Sequence, residues 1–159
     1  MKHTISALVR NRPGVLAEMA AQFKKRELNI TSISSGETEN PDVSRMVICL
    51  EAAGEAVTEI VEAMKSMDFV VSIDDLSRKE FVDRELVLVK VKRESRTLTQ
   101  IMQILEVFRA GVVGMGETTV TVEMSGDEDR VEGLIRMLEP FGIVSMCRTG
   151  KIALKRGDD

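Results

Sequence analysis

Two kinds of hydrophobic period alternate along this chain, and they do so twice in the same order. Residues 3–10, HTISALVR, read as a strand. Residues 13–26 then place Val15, Leu16, Met19, Ala20 and Phe23 at i, i+1, i+4, i+5 and i+8, one face of a helix. Strand signals return at 30–34, ITSIS, and over Ser44–Glu51, where Met46, Ile48 and Leu50 alternate with Arg45, Val47 and Cys49. A turn cluster, GETENPDV at 36–43, separates these two strands. Gly54 opens a second helix with Val57, Ile60, Val61 and Met64 at i, i+3, i+4 and i+7, and FVVSIDDL at 69–76 closes the set as a fourth strand. The order is β-α-β-β-α-β.

The order then recurs. Glu85–Lys92 alternates around Val87, Val89 and Val91, and 97–109 is helical through Leu98, Ile101, Met102, Leu105 and Phe108. Short strands follow at 111–115 and 118–124, then a helix at 127–138 with acidic residues in its first turn, a strand at 142–147, and the tail RTGKIALKRGDD. Two such units predict an α+β chain of two ferredoxin-like βαββαβ domains. Right-handed crossovers give each an antiparallel sheet in the order 4-1-3-2 with both helices on one face. The boundaries read as 1–77 for the first domain, a charged linker at 78–84, and 85–159 for the second. A domain of ~60 residues buries only about 60% of its unfolded surface, so the open sheet faces or edges are expected to need covering by a partner, most simply a second copy.

Several function classes lack their residues. Net charge is -4 and aromatics are 3%, all Phe, which disfavours nucleic acid and anionic membrane partners. No apolar run reaches the ~18 residues of a membrane span, and the amino terminus has no secretory layout, so a cytoplasmic protein is expected. Cys49 and Cys147 lie in apolar strand-like runs, which favours buried free thiols and leaves a disulfide open. The lone histidine, His3, is expected to be exposed at a strand start. No metal-ligand spacing, phosphate loop or carboxylate dyad is readable, and Gly114-Met115-Gly116 has no third glycine at dinucleotide-loop spacing and reads as a turn.

The candidate site is NRPGVLAEMAAQFKKRELNI, residues 11–30. Pro13 suits a first helical position, Gly14 permits close backbone approach, and the free N–H groups of the first turn favour an anion. Lys24, Lys25 and Arg26 suit the other end of the dipole. Asn11 and Asn29 bracket the helix with amides that both donate and accept. Taken alone, the stretch is also what any strand-to-helix turn looks like.

In context, Asn11-Arg-Pro-Gly-Val-Leu16 followed by Asn29-Ile30 resembles the start of an ACT domain, a small amino-acid-sensing module. Added to it are GETENPDVSRMVI at 36–48, VDRELVLVKV at 82–91, EVFRAGVV at 106–113 and RTGKIALKRG at 148–157. Together they resemble the regulatory (small) subunit of acetohydroxyacid synthase, also called acetolactate synthase. The resemblance implies a chain with no active site or cofactor of its own. It implies a catalytic large subunit that uses thiamine diphosphate, FAD and magnesium, activation of that subunit, and feedback inhibition by a branched-chain amino acid, usually valine. It maps effector binding onto Asn11, Gly14, Val15, Leu16, Asn29 and Ile30. The second unit has RESRT at 93–97 in place of Asn-x-x-Gly and is not expected to be a second effector site.

Topology gives a separate reason to expect a homodimer. In this fold the first two strands run parallel, so the 11–16 loop and Asn29 fall at opposite ends of the sheet. The second strand is an edge with unpaired backbone groups. Strands 1 and 2 of one copy lie roughly 10 Å apart, two ladder spacings, and antiparallel pairing of two such edges brings Asn29 of one copy near the loop of its mate. A free amino acid fits that gap, with its carboxylate on the N–H groups around Gly14–Leu16 and its ammonium on Asn11 or Asn29. Val15, Leu16 and Ile30 offer apolar contact. The competing readings are a free-standing ACT-type sensor for another enzyme, an RNA-binding ferredoxin-like protein, and a small enzyme.

Overall fold

The computed structural model describes residues 1–158 as two compact units, one of 1–82 with 151–158 and one of 83–150. The first contains β1 (Lys2–Arg10), α1 (Val15–Lys25), β2 (Ile30–Glu37), β3 (Val43–Glu51), α2 (Gly54–Lys65) and β4 (Val70–Asp75). Its sheet order is β2-β3-β1-β4, and β1 is antiparallel to both β3 and β4. The core lies between one sheet face and the helices. Ile5, Ala7 and Val9 of β1 and Met46, Ile48 and Leu50 of β3 meet Val15, Met19 and Phe23 of α1 and Val57, Ile60 and Met64 of α2. These are the residues whose periods predicted the elements, and each large one contributes roughly 1.5–3 kcal/mol on burial.

The second unit contains β5 (Phe81–Lys92, shared with the first unit at its start), α3 (Leu98–Phe108), β6 (Gly111–Met115), β7 (Thr119–Gly126), α4 (Glu128–Leu138) and β8 (Ile143–Arg148). Its order, β6-β7-β5-β8, repeats that of the first sheet. Val87, Val89 and Val91 pack with Val120, Val122 and Met124 beneath Ile101 and Leu105 of α3 and Val131, Leu134 and Leu138 of α4. Asp127 caps α4 by accepting from the Arg130 N–H at 3.0 Å. Arg148 grips the buried Glu85 with two bonds, 3.0 and 2.7 Å, and reaches Glu132 at 2.8 Å. The Glu85 bonds, partly offset by burial and supplemented by Glu132, push the guanidinium's pKa up. The predicted fold class, strand order and helical faces match this structure.

Five details differ from the sequence reading. Residues 76–78 form a 3-10 turn and β5 starts at Phe81, so the stretch expected to be a linker is mostly ordered. The tail contains β9 (Ile152–Lys155), which pairs with β5, and residues 151–158 fold with the first unit, not the second. His3 is buried, with Nδ1 3.0 Å from an Asp75 oxygen. Cys49, on β3, is half-buried, and Cys147 is exposed on edge strand β8, whose side chains from Val144 onward remain in water; both are free thiols. Gly114 and Met115 belong to β6, and the turn comes after them.

The outer face of the first sheet is covered in part by this same chain. Thr4 and Ser6, alternating with the core residues of β1, are buried there, and Val47 packs with Leu76, Phe81 and Ala153. The expectation that a second copy must cover this face therefore does not hold for this patch. Strand β2 is an edge strand, with β3 as its neighbour in the sheet.

Candidate functional site

Three segments of the first unit build the loop after β1. Register sets the ends: Arg10 pairs with Val43 and Glu37 with Ser44, so the close of β1 lies beside the β2–β3 hairpin loop. That loop is internally bonded, with Thr38 N donating to Val43 O at 3.1 Å and Asp42 N to Asn40 Oδ1 at 3.0 Å. Asn11 docks onto it. Its backbone N–H donates to Asp42 O at 2.8 Å, and its Nδ2 donates to Pro41 O at 3.0 Å and to Glu37 Oε1 at 3.3 Å. On the other side Arg12 meets the Asp68 carboxylate at 3.2 Å, Arg10 Nε donates to Asp68 O, and the Arg12 guanidinium sits 5.9 Å from the Phe69 ring centre.

Helix α1 starts two residues later than expected. Pro13 stays in the turn, and Gly14 is the residue before the first helical one, at φ +89° and ψ -15°. This left-handed geometry excludes most side chains at modest cost only to glycine, and it explains why Pro13, whose φ is fixed, precedes the helix without entering it. No side chain caps the first turn, and the N–H groups of Val15, Leu16 and Ala17 have no intrahelical acceptor. A Cβ on Gly14 would meet no clash, its nearest neighbour a Glu18 oxygen in ordinary contact at 3.9 Å.

The expected site residues divide into groups. Asn11, Gly14 and Leu16 share the exposed mouth of this loop, with Leu16 51% exposed. Val15 is 2% exposed and its side chain is part of the core, so this residue has its backbone N–H, and not the expected apolar side chain, to offer the loop. Ile30 also leans on the core, half-buried, while Asn29 is exposed. Ile30 pairs with Leu50, which pairs with His3, at the far end of β1 from Arg10. Seven residues of strand separate the two ends, about 23 Å, so one chain does not bring Asn29 to the loop. Glu37, Pro41, Asp42 and Asp68 were not singled out from sequence. The only available signal was the turn cluster itself, whose carbonyls were invisible as partners of Asn11.

Among the described residues no three His, Cys, Asp or Glu side chains gather to hold a metal ion, and no helix is long and apolar enough to cross a membrane. Comparison with known families matches residues 5–72 to the ACT domain of acetohydroxyacid synthase small subunits and residues 84–157 to the small subunit of acetolactate synthase. A probable acetolactate synthase small subunit from Archaeoglobus fulgidus is 35% identical over 158 residues, covering 99% of each chain. The chain belongs to the acetolactate synthase small-subunit family. The small subunit of Bacillus subtilis is 37% identical, covering 99% of this chain and 92% of that one. The crystal structure of the small subunit from Thermotoga maritima superposes with a TM-score of 0.86 at 30% identity, covering 100% of this chain and 99% of the other. This chain is accordingly a regulatory small subunit with an ACT domain, and membership implies a catalytic large subunit as partner. The match at 84–157 is the part that a free-standing sensor need not carry.

Proposed function

We propose that this small subunit activates a cytoplasmic catalytic chain using thiamine diphosphate, FAD and magnesium, and restrains it when a branched-chain amino acid, foremost valine, binds between two ACT units. Two β2 edges pair antiparallel, and the effector bridges Asn29 of one copy and the 11–16 loop of its mate. The ligand carboxylate takes the N–H groups of Val15 and Leu16 at the helix start. The ammonium takes the amide oxygens of Asn11 and Asn29, and Leu16 contacts the branched side chain. The observation that carries this reading is the separation of Asn11 and Asn29 to opposite ends of one sheet whose β2 edge is open. Because the ligand joins two chains, it favours one dimer arrangement, which is the differential affinity that regulation needs. A hydrophobic contact resolves one methylene by only ~1–3 kcal/mol, so valine, isoleucine and leucine all bind, unequally.

The test is calorimetric titration with valine, isoleucine, leucine and an unrelated amino acid. Gly14→Asp forces a side chain into left-handed backbone and sets a carboxylate against the ligand's own; it is expected to abolish the valine signal, and an unchanged titration refutes the site. Asn29→Ala is expected to weaken valine binding while activation of the catalytic chain persists. Loss of activation by a folded variant shows that the roles are wrongly divided.

A further inference from the structure

We propose that Glu37 is an effector-binding residue: its carboxylate supplies the counter-charge for the ammonium of the bound amino acid, so the site selects an amino acid over the 2-oxo acid of the same skeleton. This rests on the dimeric site proposed above and adds to it a residue and a selectivity. The Pro41 carbonyl only accepts, so the amide face of Asn11 turned to it at 3.0 Å must be its NH2. The second hydrogen of that NH2 goes to Glu37 Oε1 at 3.3 Å. Both donors are then occupied, and the amide oxygen is left as the group Asn11 offers outward. The backbone bond from Asn11 to Asp42 and the bonded hairpin loop hold this orientation.

Glu37, bonded to that amide through the Asn11 Nδ2, is exposed at the end of edge strand β2 nearest the loop. A carboxylate has about four acceptor sites, and Asn11 uses one. Of the two arginines flanking the loop, Arg12 is paired with the Asp68 carboxylate and Arg10 Nε donates to the Asp68 backbone carbonyl. The loop mouth thus presents the Asn11 amide oxygen and, bonded to the same amide, the Glu37 carboxylate, with Glu18 the nearest side chain to Gly14 at the helix start. An amino acid and its 2-oxo acid share the carboxylate and the side chain and differ only at the α-carbon. An ammonium donates three charge-assisted bonds to such a mouth, each roughly twice as strong as a neutral one. A ketone oxygen brings only lone pairs, which the Glu37 carboxylate repels.

The experiment titrates the full-length protein with valine and with 3-methyl-2-oxobutanoate, in wild type, Glu37→Gln and Gly14→Asp, with circular dichroism as the check of fold. Glutamine keeps an acceptor for Asn11 and removes only the charge. Valine affinity is expected to fall about tenfold in Glu37→Gln while that of the oxo acid holds or rises, so the ratio of the two collapses. Wild-type valine binding by Glu37→Gln, with Gly14→Asp inactive, overturns the role of Glu37 and leaves the site standing. Equal loss for both ligands overturns the selectivity. Gly14→Asp titrating like wild type, or a wild type that binds no valine, sinks the parent site and this inference with it.

Discussion

The His3 imidazole is held by Asp75, 72 positions away in sequence and 3.0 Å away in space. An ionised carboxylate only accepts, so Nδ1 carries the proton of that bond, and Nε2 is left buried without a hydrogen-bond partner, a cost of about 1–3 kcal/mol. Burial pushes the Asp75 carboxyl up, but bonds from the Ser77 hydroxyl and N–H and from His3 outweigh it and leave it below its ordinary 3.8. A carboxylate lowered on folding binds fewer protons in the native state than in the unfolded one between the two values. Its stabilisation is therefore complete above about pH 3.8 and is lost as pH falls through the lower, folded value. Urea unfolding from about pH 5 down to about pH 2 is expected to show that slope in wild type and a flatter one in Asp75→Asn, which starts less stable; parallel curves would show that Asp75 does not contribute. Neither this pair nor the grip of Arg148 on Glu85 was legible beforehand. Each joins strands distant in sequence, and a histidine at a strand start carries no mark of what β4 will bring beside it. The strand-to-helix turn around Asn11 and Gly14 was legible, since adjacent proline and glycine leave a local trace, while the left-handed backbone of Gly14 was not.

Elements with a clear period were read within a residue or two. Helix α3 was expected at 97–109 and spans Leu98–Phe108; α4 was expected at 127–138 and spans Glu128–Leu138. Their contact was not readable, because it depends on what Gly133 lacks. A Cβ there would lie 3.1 Å from the Phe108 ring, and Arg130 Nη2 also donates to Phe108 O at 2.6 Å, tying the start of α4 to the end of α3. Gly133→Leu is expected to destabilise the chain by about 2 kcal/mol by displacing that ring, despite the better helix propensity of leucine. Thermal melts of Leu and Ala variants check this, and a Leu variant as stable as wild type would show that the helices separate freely. The element missed altogether, β9, has four residues with only Ala153 facing inward, too few to display a period. The start of β5 was hidden by the charges of 78–84, although Phe81 already packs on Val47 and Leu76.

At the scale of the whole chain, the first unit is assembled from both ends of the sequence. Arg156 N donates to Glu80 O at 2.9 Å and Thr149 N to Leu86 O at 3.0 Å, so β5 and the tail run antiparallel as the stretch 83–150 departs and returns. A fragment of residues 1–77, the obvious way to isolate the ACT domain, lacks Phe81 and Ala153 and leaves Val47 covered by Leu76 alone. It is expected to aggregate or melt well below a chain in which 83–150 is replaced by a short glycine-containing turn. Size-exclusion chromatography and melting curves of the two decide it, and equal behaviour would mean the cover is dispensable. The same returning tail sets a clock on synthesis. At roughly 5–20 residues per second, a ribosome that has released Val82 needs roughly 3–14 s to deliver Lys151. For that interval the sheet of the nascent first unit carries a partly shielded apolar patch on a tethered chain, and its maturation is timed by codons that lie beyond 83–150, not by its own.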